Sequence, residues 1–189
     1  MIQVAVSTDR EIKETFKKDK EAGFRLLYYK YSGWIMSVCK RYSADNGEAM
    51  DFFQEAMIKI NDKIGSFKSD REGALKSWIT RITTNLILDQ FRKRGRLLIV
   101  EIDGDANKDY IDPMYEEIAS IPVEDLLKMV ERLSESKKIV FNMFAIDGYS
   151  YKEIAGILGI SEDGVSSTMS KARKHLGKMI KEYLKENTK

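Results

Sequence analysis

Apolar residues recur at three- and four-residue steps in the first half of the chain, as on amphipathic helices. The first such stripe consists of Phe24, Leu27, Tyr28, Tyr31, Ile35 and Val38. After a turn predicted at Asn46-Gly47, the second consists of Met50, Phe53, Met57, Ile60 and Ile64. A glycine-bounded loop over 65–73 precedes the third, which consists of Leu75, Ile79, Ile82 and Leu86. The pattern predicts three successive helices.

The second predicted helix carries apolar residues beyond its core stripe. Phe52 and Ile58 stand beside Asp51, Gln54 and Glu55. Hydrophobic side chains on an outer helix face indicate either a docking surface for a partner or a site where another helix packs. The pattern alone leaves both interpretations open.

A polar stripe runs along the third predicted helix and ends in a basic cluster. At 100° per residue, the stripe contains Ser77, Arg81, Thr84, Asn85, Arg92 and Arg96. Cations suit the C-terminal end of a helix dipole, but Arg, Asn and Thr together also suit contacts with phosphates and bases. Phe67 and Trp78 lie nearby, and we expect them either to pack in the core or to stack on an unpaired base.

The C-terminal part of the chain has the pattern of a helix-turn-helix. Ser150 and Glu153 form a capping box, Gly159 suits the left-handed turn, and Ala155 and Val165 suit the close contact between the two helices. A plain helical hairpin is the alternative. The second helix of such a motif lies in the DNA major groove. Its exposed side is predicted to carry Glu162, Asp163, Ser166, Ser167, Ser170, Lys171 and Lys174.

Charge divides the 189-residue chain although its net charge is only +2. Residues 97–122 contain seven acidic residues, one lysine and both prolines. This segment is predicted to be an acidic linker, or else simply a solvated loop. The resulting division is 1–96, 97–122 and 123–189. We therefore expect an all-α protein with two small helical domains joined by a flexible acidic linker.

Composition excludes several other classes of protein. Cys39 and His175 are the only cysteine and the only histidine, which excludes an internal disulfide and any site built from several of these residues. We expect no metal and no cofactor. No stretch approaches the ~20 apolar residues of a membrane span, and the N-terminus lacks a secretion signal, so a cytoplasmic protein is expected. Asp51 and Glu55 share a helix face, but their spacing is common on charged helices, so an enzyme is not expected.

Both halves of the chain resemble the extracytoplasmic-function sigma factors of bacteria. Residues 20–28 (KEAGFRLLY) resemble the opening helix of that family, and residues 51–55 (DFFQE) match its polymerase-binding motif. Residues 78–89 (WITRITTNLILD), followed by Arg92-Lys93-Arg94, are similar to its promoter-melting segment, and residues 150–174 to the region that reads the upstream promoter element. The resemblance implies a factor that directs promoter recognition, promoter melting and transcription initiation.

The resemblance also implies partners and residue roles. The partners are the β′ clamp helices and the β flap of core RNA polymerase, promoter DNA and, in some relatives, an anti-sigma factor. Polymerase binding is expected at Asp51, Phe52, Gln54, Glu55 and Ile58. Contacts with the downstream element, including capture of a flipped base, are expected at Phe67, Ser69, Trp78, Arg81, Thr84, Asn85, Arg92 and Arg96. Contacts with the upstream element are expected at Ser161, Glu162, Ser166, Ser167, Ser170, Lys171, Arg173 and Lys174.

Two departures from the family concern the upstream contact. Ser166 and Thr168 stand where relatives often have basic residues, which predicts fewer phosphate contacts. The alternative function is a helix-turn-helix regulator that acts without polymerase, but that alternative leaves the 51–55 motif unexplained.

Overall fold

A computed structural model of the protein describes residues 7–94 and 118–187. Within those two ranges the regular secondary structure is entirely helical, which confirms the expected all-α class. The chain divides into an N-terminal unit that ends at Lys93 and a C-terminal unit that begins at Arg94. Most of the predicted linker and the boundary at 96–97 lie outside the described residues.

The N-terminal unit consists of four helices and one short turn of 3-10 helix. The helices are α1 (Asp9–Lys18), α2 (Lys20–Tyr42), α3 (Asn46–Lys63) and α4 (Ala74–Lys93), and the 3-10 turn is Ile64–Ser66. Leu27, Ile35 and Val38 of α2 are fully buried, as are Leu75 and Ile79 of α4. The stripes predicted for α2 and α4 are therefore largely confirmed, although Tyr28 is exposed.

The prediction was wrong about where α3 begins and which face it buries. Asn46 starts the helix instead of a turn, because the Asp45 side chain accepts a hydrogen bond from Glu48 N at 2.8 Å and so caps it. Met50, which was predicted to be in the core, is 46% exposed. Phe52 is 1% exposed, and its ring packs on Phe91 of α4 with centroids 5.9 Å apart. Since α3 packs against both α2 and α4, its buried face extends beyond the predicted stripe.

Helix α1 was not predicted from the pattern. It begins with a capping box in which the Thr8 side chain accepts from Glu11 N and the Glu11 side chain accepts from Thr8 N. Phe16 packs against Gly23 of α2 so closely that a Cβ atom on Gly23 would lie 2.6 Å from Phe16 Cγ. Glycine at this position is what allows α1 to lie against α2.

The C-terminal unit has shorter helices followed by one long one. These are α5 (Val123–Glu131), α6 (Glu135–Phe141), a π-helical turn (Asn142–Ile146), α7 (Tyr151–Leu158) and α8 (Glu162–Asn187). Its core includes Ile121, Met129, Val130, Leu133, Ala172, Leu176 and Ile180. Ile121 falls within the predicted linker but is only 4% exposed, so the last residues of that segment pack with this unit.

Candidate nucleic-acid and polymerase interfaces

The outer face of α3 brings together four of the five residues predicted to bind polymerase. Asp51, Gln54, Glu55 and Ile58 are all exposed, and the helical repeat places them within about 100° of one another. We call these four residues the docking face. The apolar side chain of Ile58 is 64% exposed among carboxylates and an amide. Phe52 does not belong to this face, because its ring lies in the core, and its predicted role as an exposed contact is wrong.

The docking face is bordered by a groove between α3 and α4. Away from this face, Phe53 packs edge-on against the exposed Tyr28 of α2, with ring centroids 6.4 Å apart. The groove has a volume of about 320 Å³ and is lined by Ile58, Lys59, Leu86 and Lys93 among others. Gln90 of α4 donates to the Glu55 carboxylate across 2.7 Å in this groove. One residue of the docking face is thereby held by its neighbouring helix.

Phe67 and Trp78 form a partly buried pair beside the loop that precedes α4. Their rings lie 5.5 Å apart, and Phe67 is only 6% exposed. The prediction that Phe67 itself receives a flipped base is wrong in this structure, since its ring already fills a core position. Trp78 is half-buried and Ser69 is exposed. Ser69 Oγ accepts a hydrogen bond from Arg71 N at 3.3 Å within the loop.

The polar stripe of α4 is real but narrower than predicted. Ser77, Arg81, Asn85 and Arg92 are exposed and lie within about 80° of one another around the helix. Thr84 is fully buried, so its predicted contact with DNA is wrong. Leu88, which falls within the same stripe by the helical repeat, is also fully buried. Arg96 lies outside the described residues.

Side chains of α1 that the sequence analysis did not single out contact the loop over residues 67–73. Lys13 Nζ donates to Lys68 O at 3.1 Å and to Asp70 Oδ1 at 2.8 Å. Asp9 Oδ2 accepts from Gly73 N at 2.9 Å and from Leu75 N at 3.2 Å. The Thr8–Glu11 capping box is a signal that would have revealed α1, but no local pattern indicates that its side chains reach residues more than fifty positions away.

Helices α7 and α8 form the predicted helix-turn-helix. Ser150 and Glu153 complete the capping box of α7. Gly159 ends α7 in the left-handed conformation with φ 71°, where a side chain would be strained. Ala155 and Val165 are buried, as predicted. At the start of α8, Ser161 Oγ accepts from Gly164 N at 3.1 Å.

The outer side of α8 presents most of the residues predicted for the upstream element. Ser161, Glu162, Ser166, Arg173 and Lys174 are exposed, whereas Ser167, Ser170 and Lys171 are half-buried. Thr168 is 5% exposed, and its hydroxyl donates to Gly164 O at 2.8 Å. The expectation that threonine at position 168 costs the protein a phosphate contact does not fit this placement, because the side chain at this position faces the interior.

Cys39 and His175 were the candidates for redox and acid–base chemistry, and their surroundings assign neither of them such a role. Cys39 is fully buried, and this burial raises the pKa of its thiol to about 12, so it is a packing residue without thiolate character. His175 is exposed, with Nδ1 3.5 Å from Lys137 Nζ. In residues 7–94 and 118–187 no group of three or more metal-ligating side chains occurs. No helix described there is long and apolar enough to cross a membrane.

Comparison with known families matches both units. A family model for Sigma-70 region 2 matches residues 27–97, and one for Sigma-70 region 4 matches residues 124–176. The chain is 27% identical to the ECF RNA polymerase sigma-E factor of Escherichia coli K12, over 94% of this chain and 97% of that protein. It is also 27% identical to the RNA polymerase sigma-H factor of Pseudomonas aeruginosa, over 94% and 96%.

Solved structures agree with this assignment. The sigma factor RpoE of Bartonella quintana, crystallised with the anti-sigma factor NepR, matches with a TM-score of 0.51 and 25% identity over 84% of this chain and 96% of that one. CnrH, solved with the cytosolic domain of CnrY, has a TM-score of 0.50 at 20% identity over 92% and 97%, and this likeness supports the fold alone. With both sigma regions present in order and relatives aligned along nearly their whole length, this chain belongs to the extracytoplasmic-function sigma factors, which bind core RNA polymerase and promoter DNA to initiate transcription.

Proposed function

We propose that the docking face of α3 binds the β′ clamp helices of core RNA polymerase. Singly exposed apolar residues are common on protein surfaces, but Ile58, which is 64% exposed, shares one face with Asp51, Gln54 and Glu55 of the 51–55 motif. The acidic and amide side chains around it supply charge that a basic partner surface would complement. An exposed apolar side chain together with that motif on one face is the single observation that carries the assignment, because interfaces commonly combine an apolar centre with a polar rim.

The C-terminal unit offers a second surface for the polymerase. An apolar groove of about 350 Å³ is lined by Leu126, Leu127, Val130 and Ile180 among others, with Val123 and Leu127 exposed at its edge. We assign this groove to the β flap. Its lining is almost wholly apolar, which suits an amphipathic helix from a partner better than a nucleic acid.

Downstream promoter contacts are assigned to the loop over 67–73 and to the exposed stripe of α4. Arg81, Asn85 and Arg92 are exposed, and their side chains are of the types that contact phosphates and bases. Ser69 and Trp78 border the place where an unpaired base would enter, while Phe67 supports Trp78 from the core. Upstream contacts are assigned to the outer side of α8, with Ser166 and Ser170 toward bases and Arg173 and Lys174 toward phosphates.

Four further parts of the proposal concern the protein as a whole. The chain carries out no covalent step, since the polymerase makes the phosphodiester bonds. It acts in the cytoplasm, where its polymerase and promoters are. An anti-sigma factor binds it, by analogy with the Bartonella relative solved in such a complex. The domains are 1–96 and 123–189, joined by the acidic linker over 97–122.

The decisive test is transcription in vitro with purified core polymerase on genomic DNA of the source organism. Start sites that appear only when the chain is added identify its promoters. Tight and specific binding of the free chain to duplex DNA, with no effect of core polymerase, would instead favour a regulator that acts alone.

Docking is tested by reversing charge on α3. Asp51→Lys is expected to weaken core binding by at least tenfold while the helical content stays unchanged, because it places a cation against a basic surface. Glu21→Lys makes the same charge change at an exposed residue of α2 and serves as the matched control. Normal core binding by the Asp51 variant would show that the docking face lies elsewhere.

A further inference from the structure

The start of α4 and the end of the 67–73 loop converge on one buried carboxylate. Asp9, the first residue of α1, is only 3% exposed. Its Oδ2 atom accepts from the backbone N–H groups of Gly73 and Leu75. Its Oδ1 atom accepts from Lys30 Nζ at 2.9 Å and from the Tyr31 hydroxyl. A residue of α1 thus caps α4, although the two are more than sixty positions apart in the chain.

Glu72 closes this arrangement from the loop side. Its carboxylate accepts from Asp9 N at 3.1 Å through Oε2 and from Lys30 Nζ at 3.1 Å through Oε1. Asp9 and Glu72 therefore both bind Lys30. Asp9 of α1 also binds the backbone of Gly73 and Leu75, and Glu72 of the loop binds the backbone of α1. The C-terminal end of the loop is fixed by charge-assisted hydrogen bonds, which are the stronger kind.

Lys13, one turn further along α1, holds the other part of the loop. Its ammonium group donates to Lys68 O and to the Asp70 carboxylate and lies 5.9 Å from the centre of the Phe67 ring. The Lys13 side chain is only 14% exposed. Between these two attachments, Ser69 and Arg71 remain exposed, so the loop is fixed at both ends while its middle faces solvent.

A loop fixed in this way loses its conformational entropy when the protein folds, before DNA arrives. A loop that had to become ordered on binding would lose that entropy during promoter opening, and each immobilised side chain would weaken the bound state. Ile12 and Phe16 bury the apolar side of α1. The polar contacts of Asp9 and Lys13 are not needed for that burial. The polar side of α1 is instead directed at the loop.

We infer that α1 acts as a brace that pre-orders the 67–73 loop for the unpaired promoter strand, with Lys13 and Asp9 as positioning residues. This inference rests on the proposed role of the loop in base capture. The brace acts on strand capture alone and leaves the docking face of α3 untouched.

The experiment uses holoenzyme assembled from core polymerase and the full chain, on a promoter mapped as described above. Lys13→Met removes both hydrogen bonds to the loop but keeps the aliphatic side chain over Phe67. Lys17→Met is the matched control, because Lys17 lies on the same helix and its ammonium group pairs with Glu14, at 2.7 Å, and not with the loop backbone. Open complexes are measured by permanganate reactivity, and core affinity is measured by fluorescence. Lys13→Met is expected to lower open-complex formation about three- to tenfold with unchanged core affinity.

A second set of templates separates positioning from general destabilisation. Single abasic substitutions across the non-template strand of the downstream element identify the base whose loss weakens the wild-type complex most. If the brace positions the loop for that base, Lys13→Met lowers the penalty of the abasic site, because the two changes remove one interaction. Glu72→Gln, at the other end of the loop, is expected to shift the penalty in the same direction.

The outcomes distinguish failure of the brace from failure of base capture by the loop. Suppose that one abasic site weakens the wild-type complex and that the effect of Lys13→Met simply adds to that penalty. This result overturns the brace but leaves base capture by the loop intact. Equal behaviour of Lys13→Met and Lys17→Met overturns the brace as well. A wild-type complex that tolerates every abasic site overturns base capture by the loop and the brace with it.

Discussion

The two units of this sigma factor are shaped by hydrogen bonds of very different range. In the helix-turn-helix, Ser150 and Glu153 cap each other three residues apart, and Ile160 N donates to Ala155 O five residues away. In the N-terminal unit, the bonds that attach the 67–73 loop to α1 and α2 join residues 42 to 66 positions apart. The difference teaches that the DNA-reading motif is largely encoded locally, whereas the loop assigned to strand capture depends on the assembled tertiary structure.

Among substitutions that test this comparison, Asp9→Ala is expected to have the largest effect. Removing a carboxylate that is 3% exposed takes the acceptor from the Tyr31 hydroxyl and from two backbone N–H groups, and it leaves Lys30 with only one of its two carboxylate partners. The expected loss is about 3–5 kcal/mol of unfolding free energy, measured by urea denaturation. Asp51→Ala is the control, since an exposed substitution is expected to change stability by no more than about 0.5 kcal/mol. A loss as small as that of the control would show that the long-range network contributes little.

Gly23→Ala tests the contact that seats α1 on α2. The new Cβ would lie 2.7 Å from Phe16 Cα, a backbone atom that cannot move aside without shifting the helix. We expect a loss of about 1–3 kcal/mol in thermal unfolding. Gly33→Ala on the same helix meets no atom within 4 Å and is expected to be neutral or to stabilise by up to about 1 kcal/mol. Equal melting temperatures for the two variants would contradict the close packing.

Gly159→Ala tests the turn of the helix-turn-helix, the part of the comparison that is encoded locally. At φ 71° an alanine side chain is strained, and we expect a loss of about 1–2 kcal/mol together with weaker binding to the upstream element. Gly156→Ala, three residues earlier in α7, meets no neighbouring atom and is expected to stabilise by about 0.5–1 kcal/mol. Opposite signs for two glycines of one motif, read by chemical denaturation, would confirm that the turn requires Gly159.

The smallest expected effect is a pH dependence of the N-terminal unit. Burial acts to raise the pKa of the Asp9 carboxyl, but hydrogen bonds from Tyr31, Lys30 and Leu75 N together lower it below its ordinary value. A lowered pKa in the folded state means that the stabilisation is present above the ordinary pKa of aspartate, about 3.9. It is lost as the pH falls through the folded value.

Urea titrations between pH 6 and pH 3, followed at Trp34 and Trp78 by fluorescence, measure this dependence. Asp9→Asn is expected to flatten the pH profile of the N-terminal unit, which contains both tryptophans. Identical slopes for the wild type and the Asp9→Asn variant would show that another carboxyl group is responsible.

Periodicity, caps and turn residues were enough to predict much of this protein. The capping box at Ser150 and the left-handed Gly159 are found as predicted, and the apolar stripes of α2 and α4 are found with Tyr28 as an exception. The order of the motifs along the chain also led to the correct family. Each of these features is local, because the backbone geometry of a few consecutive residues, or the repeat of one helix, defines it.

Only the tertiary structure decided which polar and aromatic residues are available to a partner. Phe52 and Phe67 are buried because neighbouring helices cover them. Thr84 and Thr168 read as polar in a sequence but lie inside. A threonine within a helix can bond its hydroxyl to the carbonyl four residues earlier, as Thr168 does with Gly164, and its methyl group then packs in the core. The brace formed by α1 was equally hidden, since no sequence pattern records contacts made across more than fifty residues.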